Sequence, residues 1–328
     1  MCRRVILFLM KRFVRPLWIA AAVALSLAPD GAFALNPEVL QSVVRIKPDW
    51  PMAVRGRDAS GAPRDPQGSG IAILSGGYIA TNVHVIGKAV DVDVLTEDGR
   101  LFKAEIVGRD AATDIALLKV PAELPVPETG PVPALAAPVC AIGNQFGLGL
   151  SVTCGVVSAL SRSGIGFNPV EDFIQTDAAV NPGGSGGALL DAEARLVGMV
   201  SAIFTKQSDA DIGVNFATSV PLLMRVVGDL KTHGRVIRAA PGFKAAPLPR
   251  GLAAAGGGVL IESVVLDGPA FGAGIEAGDV VTHVNDIAVR DTGALERMIF
   301  MKRPGETVTL KIRRGTENRE AQFTLGNM

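Results

Sequence analysis

Ser185 stands in the run Asn181-Pro182-Gly183-Gly184-Ser185-Gly186-Gly187, directly after the predicted strand Phe173-Ile-Gln-Thr-Asp177. A hydroxyl that attacks a carbonyl must be open to substrate, and backbone N–H groups beside it must point at the oxygen that gains charge. A tight turn free of Cβ atoms meets both needs, which makes Gly183 and Ser185 the candidate oxyanion donors. The competing reading is a glycine-rich turn that holds a serine incidentally. Of three histidines only His84 precedes Ser185, in Tyr78-Ile-Ala-Thr-Asn-Val-His84-Val, where a predicted strand runs into a turn. Further on, Thr113-Asp114-Ile-Ala-Leu-Leu-Lys119 puts a carboxylate at the head of an apolar strand, where it can be buried and held against an imidazole N–H. A structural histidine and a strand-end turn aspartate are the plain alternatives. Asp110 is the nearest rival acid and is assigned to the preceding turn.

The segment Gly183 to Gly187 also fits the Gly-x-Ser-x-Gly elbow of α/β-hydrolases. That fold places the acid and histidine after the serine, which would need His233 or His283, and it runs the elbow into a helix. Ala188-Leu-Leu-Asp-Ala-Glu-Ala-Arg-Leu-Val-Gly198 reads instead as strand, turn, strand. The elbow reading is therefore set aside.

Positioning three such residues needs a rigid frame, and from about Val43 to Ala217 short β-rich runs alternate with Gly, Pro, Asn and Asp clusters. Among them are Gly70-Ile-Ala-Ile-Leu74, Val90-Asp-Val-Asp-Val-Leu95, Ala116-Leu-Leu-Lys-Val120 and Leu196-Val-Gly-Met-Val200. The stretch Pro121 to Pro138 is too rich in proline for a central strand and is expected to connect two β subdomains. A helix is predicted over Pro221 to Leu230, opened by Ser219 and closed near Gly234. Beyond it come strand signals at Val259–Val265, Val280–Val284 and Thr307–Ile312 and a helical stretch from Thr292 to Met301. These suit a second, small mixed domain. The Ala-, Pro- and Gly-rich stretch from Ala239 to Gly258 is expected to be partly mobile.

Five basic residues precede the apolar run Leu17 to Ala28, and Ala32-Phe33-Ala34 follows as a small-x-small site, the pattern of a cleaved secretory signal peptide. Export to the periplasm or outside is expected, with an uncleaved anchor as the alternative. Without residues 1–34 the chain keeps 27 basic and 31 acidic residues, a net charge of −4, which offers nucleic acid no electrostatic footing. Cys140 and Cys154 remain, without partners at metal-ligand spacing. They flank the segment Gly143 to Ser151. A reduced pair filling space is the expectation, and a bridge across a hairpin the alternative.

Six ordered blocks make the chain resemble the HtrA/Deg-type trypsin-like serine proteases. They are Gly68-Ser-Gly-Ile-Ala-Ile-Leu74, Ala80-Thr-Asn-Val-His84-Val, Thr113-Asp114-Ile-Ala-Leu-Leu-Lys-Val120, Ala141-Ile-Gly-Asn-Gln-Phe-Gly147, Val152-Thr-Cys-Gly-Val-Val-Ser-Ala159, and Phe173 to Pro182 running into Ser185. The resemblance implies a chymotrypsin-like all-β double barrel over residues 35–235, following a signal peptide at 1–34, with the site between the barrels. It also implies roles. Ser185 attacks the scissile carbonyl, His84 moves the proton, and Asp114 fixes the imidazole; no metal or organic cofactor is required. Asp211 to Ala217 resembles the family's primary-pocket wall and Val200 to Ile203 its neighbouring strand. Val200, Ser201, Ala202, Gly213, Val214, Asn215 and Phe216 are thus the candidate pocket residues, uncharged and suited to small or medium apolar side chains. One departure is Gly184, where the family commonly has Asn. Glycine there removes a brace, so a poorly ordered oxyanion loop at rest is expected.

Gly268-Pro-Ala-Phe-Gly-Ala-Gly-Ile-Glu-Ala-Gly-Asp279-Val-Val-Thr-His-Val-Asn285 resembles the PDZ signature, giving a small α+β PDZ domain over 236–328. Such domains add a peptide C-terminus as a strand, and Pro241, Gly242 and Phe243 are the candidate carboxylate loop. Proline in second place removes one N–H from that loop. The resemblance implies an ATP-independent endopeptidase with unfolded or misfolded protein as substrate, peptide C-termini as partners and a homotrimer or higher oligomer; a non-proteolytic chaperone or peptide-binding protein on the same scaffold is the alternative. A peptide in the PDZ groove is expected to favour the ordered oxyanion loop.

Overall fold

A computed structural model describes residues 37–50, 67–203, 213–249 and 257–328. The signal peptide and cleavage site read at 1–34, and Asp211 and Ile212 of the pocket wall, lie outside these. Among the described residues no helix is long and apolar enough to cross a membrane.

Twelve strands close into two barrels of six. The first contains β1 (Val43–Pro48), β2 (Gly68–Leu74), β3 (Tyr78–Asn82), β4 (Val92–Leu95), β5 (Leu101–Asp110) and β6 (Ile115–Lys119), joined in the order β1-β2-β3-β6-β5-β4. The second contains β7 (Pro138–Gly143), β8 (Ser151–Arg162), β9 (Phe173–Thr176), β10 (Ala188–Leu190), β11 (Leu196–Ile203) and β12 (Asn215–Ser219). Its order around the barrel, β7-β8-β9-β12-β11-β10, repeats the first six strands later. The proline-rich stretch expected to connect them does so, carrying no strand between Lys119 and Pro138.

The apolar runs explain why the barrels pack as a pair. Side chains alternate between faces of a strand, so a strand buried on both faces reads as a continuous apolar run. In β6, Ala116 and Leu118 fill the interior of the first barrel while Ile115 and Leu117 face the cluster between the barrels. In β10, Leu189 fills the second barrel while Ala188 and Leu190 face that same cluster. Each such leucine or isoleucine, fully buried, contributes about 1.5–3 kcal/mol.

Helix α3 (Val220–His233), after the short α1 (Pro37–Gln41) and α2 (Val83–Ile86), closes this shared core with Leu222, Leu223, Val226, Val227 and Leu230. Its ends are those read from sequence. The Ser219 hydroxyl accepts from the Leu222 N–H, Pro221 sits in the first turn, and Gly234 at φ 67° ends it. Arg225 and Asp229 form a buried ion pair on this helix, and Asp229 also accepts from Arg303 and from the Ile237 N–H at 2.9 Å. Burial alone would push the Asp229 carboxyl up, but hydrogen bonds from Arg303, the Ile237 N–H and Arg225 hold it below the usual carboxylate range.

The C-terminal domain has a sheet ordered β14 (Phe243–Pro247), β15 (Val259–Val264), β16 (Val280–Val284), β18 (Thr307–Arg314), β19 (Glu317–Thr324), with β17 (Ile287–Ala288) beside β16. The two-residue strands β13 (Ala239–Ala240) and β20 (Gly326–Asn327) pair separately. Helices α4 (Pro269–Gly272) and α5 (Thr292–Phe300) complete it, and the Asp291 carboxylate caps α5 through the Ala294 N–H at 2.7 Å. Within the 239–258 stretch expected to be partly mobile, 250–256 lie outside the described residues and 243–247 is the edge strand of the sheet. Its alanines and proline have little strand preference of their own, and pairing with β15 decides the conformation.

The cysteines bring a correction. Cys140 on β7 and Cys154 on β8 are direct cross-strand partners with Cα atoms 4.0 Å apart, and they are joined as a disulfide rather than left reduced.

Asp279, from the glycine-rich signature, is 1% exposed. Arg314 grips it in bidentate fashion, Nε to Oδ1 at 2.7 Å and a terminal nitrogen to Oδ2 at 2.8 Å, while the Glu276 N–H donates at 2.9 Å. Burial would push this carboxyl up, but the Arg314 bonds, the Glu276 N–H and the Arg314 charge bring it below its ordinary value. A carboxyl depressed in the folded state adds stability above its unfolded pKa of about 3.9 and loses it as pH falls through the lower folded value. Asp279→Asn is therefore expected to cost about 2 kcal/mol at pH 7, the worth of a charge-assisted hydrogen bond. Thermal unfolding from pH 7 to pH 3 checks this: the gap between wild type and variant should stay constant down to about pH 4 and narrow below it, and a gap unchanged at about pH 3 would contradict it.

Candidate active site

His84 enters on α2, one turn that begins directly after β3, and Asp114 on the turn leading into β6, so both come from the first barrel. His84 Nδ1 and Asp114 Oδ2 are 2.6 Å apart, and the His84 main-chain N–H donates to Asp114 Oδ1 at 2.9 Å. The histidine side chain is 50% exposed and the aspartate 13%, so the ring reaches solvent while the carboxylate is sheltered behind it. Asp114 has φ 57°, uncommon for a residue with a Cβ, and its carbonyl accepts from the Val83 N–H at 3.1 Å and Asn82 Nδ2 at 3.0 Å. Asp110, expected in a turn, is the last residue of β5, bonded to Thr113 and ion-paired with Arg238.

Ser185 comes from the second barrel, on the loop between β9 and β10. Its Oγ donates to the Ser201 carbonyl at 3.3 Å, and no hydrogen bond joins it to His84. Rotation about χ1 is the movement that would turn the hydroxyl to the ring. The Pro182 carbonyl accepts from the Phe146 N–H at 2.6 Å, and the peptide is trans, so the Gly183 N–H points the opposite way. Gly183 at φ 94° presents its own carbonyl to Ser69 Oγ at 2.7 Å. Neither the Gly183 nor the Ser185 N–H is used by another described residue. The Gly184 N–H donates to Asn181 O at 2.9 Å, Gly186 to Val200 O at 2.8 Å and Gly187 to Gly184 O at 2.9 Å. Ser69 and Phe146 thus brace the Gly183 peptide from outside, and the amides of Gly184, Gly186 and Gly187 are all used within the loop and its neighbouring strand.

The first barrel thus supplies a carboxylate-held imidazole, and the second a serine whose own N–H, like that of Gly183, is not used by another described residue. The trypsin-like peptidase domain description matches residues 68–199 and the PDZ domain description residues 210–325. The chain is 36% identical over 274 residues to serine endoprotease DegS of Escherichia coli, covering 79% of this chain and 76% of that one. It belongs to the HtrA/Deg family. A probable periplasmic serine endoprotease, DegP-like, of Halomonas elongata is 40% identical over 280 residues, 83% of this chain but 59% of that protein. The HtrA/Deg chain described here thus spans a little over half the length of that curated relative. Among solved structures, the HtrA-type protease AlgW with tripeptide superposes with TM-score 0.72 at 32% identity, over 89% of this chain and 95% of the other.

The candidate pocket residues divide. Ser201 lies at Ser185, but Val200 is 2% exposed and packs in the interior of the second barrel with Val139, Ile174 and Leu189, so it is core and not pocket wall. Asn215 is buried and donates to the Ala178 carbonyl at 2.9 Å. Phe216 faces away from that interior, where its neighbour Ala217 packs, and lies edge-on to Phe167 at a centroid distance of 5.6 Å and tilted against Phe173 at 5.7 Å. Gly213 and Val214 are half-buried at the start of β12, and the Ala202 side chain lies outside the described set.

In the HtrA/Deg PDZ domain, Gly242 at φ 81° has no room for a Cβ, which would lie 2.9 Å from Pro269. The carbonyls of Pro241 and Gly242 are taken by the Ala270 and Val265 N–H groups. Phe243 begins β14, and a groove of about 470 Å³ runs between this edge strand and α5, with Phe243, Ala245, Leu295, Ile299 and Phe300 lining it. Glu296 borders it, and burial, with the nearby Glu171 charge, pushes its carboxyl up.

Four contributors escaped the sequence reading. Ser69 and Phe146 brace the Gly183 peptide, and Asn82 bonds Asp114. Glu171, 2% exposed, accepts from the N–H groups of Ile165, Gly166, Phe167 and Asn168 at 2.6–3.0 Å, shaping the loop that carries Phe167. Ser69, Asn82 and Phe146 sit inside quoted family blocks, a signal that was available; Glu171 has none in one sequence.

Proposed function

We propose that the chain is an ATP-independent serine endopeptidase of the periplasm that cuts unfolded or misfolded polypeptide, with a protease domain at 35–235 and a PDZ domain at 236–328. The observation that carries the reading is the 2.6 Å His84–Asp114 contact in the first barrel, with Ser185 in the second on a loop whose Gly183 and Ser185 amides are not used by other described residues. In the mechanism, Ser185 Oγ leaves the Ser201 carbonyl, gives its proton to His84 Nε2 and attacks the scissile carbonyl. Asp114 keeps Nδ1 protonated and stabilises the imidazolium. The two amides receive the oxyanion, His84 protonates the leaving amine, and water repeats the sequence to release the acyl group.

Ser201 and Val214 near the site carry no charge, which supports cleavage after small or medium apolar residues such as Ala, Val or Leu. Mass-spectrometric mapping of cuts in an unfolded test protein checks both claims. Cuts mainly after Arg or Lys would refute the specificity, and no cuts that depend on Ser185 would refute the peptidase. AlgW is solved with a tripeptide, and in this chain the groove beside the edge strand β14 offers a strand edge to which a peptide C-terminus could add. An apolar C-terminal peptide added to the same assay should raise the cutting rate several-fold; an unchanged rate would leave the groove as a tether. A homotrimer follows from the family resemblance, and light scattering of the purified protein tests it.

A further inference from the structure

Asn82 ends β3, two positions before His84, and is fully buried. Its Nδ2 donates to the Asp114 carbonyl at 3.0 Å and to the Ser201 hydroxyl at 3.4 Å. The carbonyl acceptor fixes which way the amide points. That orientation leaves Oδ1 buried with no partner among the described residues. A buried, unpaired amide oxygen is a cost that an apolar residue of similar size would avoid. The amide therefore matters for what its NH₂ group holds.

Both groups it holds lead to the reacting atoms. Asp114 sits at φ 57°, a conformation that persists in a residue with a Cβ only when its surroundings hold it there, and its carboxylate grips His84 at two points. Ser201 supplies the carbonyl that receives the Ser185 hydroxyl. Asn82 is the one side chain among the described residues bonded both to the acid's main chain in the first barrel and to the residue that holds the nucleophile in the second.

We propose that Asn82 is a positioning residue of the triad. It sets the Asp114 carboxylate against His84 and ties that end of β3 to Ser201, the neighbour of Ser185, across the seam between the barrels. This rests on the peptidase reading above. Proton transfer from Ser185 needs the ring within hydrogen-bond reach, and a misplacement of about 1 Å costs on the order of a hundredfold in rate. A group that aligns base and nucleophile without touching substrate acts on the bond-making step, so its loss falls on kcat and spares KM.

The test uses the full-length protein with Asn82→Ala, which removes the amide, and Asn82→Asp, which keeps its shape but replaces the donor with oxygen. Peptide cleavage gives kcat and KM, and a fluorophosphonate counts reactive serines and reports how fast they react. Both variants should lose about 10- to 100-fold in kcat per reactive site and label more slowly by a similar factor, with KM within about twofold. If Asn82→Asp does not fold, Asn82→Ala decides alone, since it also removes the unpaired oxygen. Unchanged kcat per site, a loss explained wholly by fewer reactive sites, or a loss carried by KM would each overturn the proposal. A wild type that neither cleaves nor labels would overturn the peptidase reading itself, whereas an active wild type with unaltered variants overturns only the role of Asn82.

Discussion

Ser185→Ala is expected to lower kcat on an unfolded substrate by at least about 10⁴-fold, or roughly 5.5 kcal/mol of transition-state stabilisation, while the protein stays folded. The two halves of this expectation have separate reasons. Ser185 Oγ is the atom that would form the covalent bond, on a loop whose Gly183 and Ser185 amides are not used by other described residues. The same Oγ makes one hydrogen bond, 3.3 Å to the Ser201 carbonyl, so its removal costs at most about 1 kcal/mol of stability. His84→Ala should cost a similar factor, and the double variant little more, because residues that act as a unit are not additive. Initial rates together with thermal unfolding check this. Residual cleavage above about a tenth of wild type in Ser185→Ala would remove the serine from the mechanism.

The second large effect is expected at Gly183. At φ 94° this glycine occupies backbone space that L side chains rarely adopt, and an added Cβ would lie 2.3 Å from the Asn144 carbonyl oxygen. The peptide must move, and its N–H leaves the direction fixed by the Phe146 bond to Pro182. Gly183→Ala should therefore lower kcat by about 10²–10³-fold, the cost of one lost oxyanion donor, with a smaller effect on KM. Gly184→Ala is the internal comparison. Gly184 needs no positive φ, and its nearest approach is 3.0 Å to the Asn181 carbonyl, so the change there should be milder. Steady-state kinetics of the pair decide the matter, and equal losses in both would mean general loop damage, not a lost donor.

Much of this was legible in the chain because the relevant constraints are local. The helix at Val220–His233 has its cap serine, first-turn proline and terminal glycine within its own segment. The apolar runs of β6 and β10 reveal strands, and the glycines around Ser185 reveal a turn. Six blocks in family order turned three scattered residues into one expected site.

What the sequence by itself determined was therefore the inventory: two β subdomains and a small mixed domain, the His84, Asp114 and Ser185 set, and the order in which they occur. The tertiary structure decided which of the other residues serve the site, because those contacts join positions far apart in the chain. Asn82 meets Ser201 across a separation of 119 residues and Ser69 meets Gly183 across 114, and neither pairing has a local signature. Val200 is core and Phe216 faces away from the interior of the second barrel, since a strand's side chains alternate and only closure of the barrel tells which set is inside. The Cys140–Cys154 bridge depended on the register of β7 against β8, and strand β14 on its pairing with β15, hydrogen-bond ladders that a run of alanines and prolines does not announce.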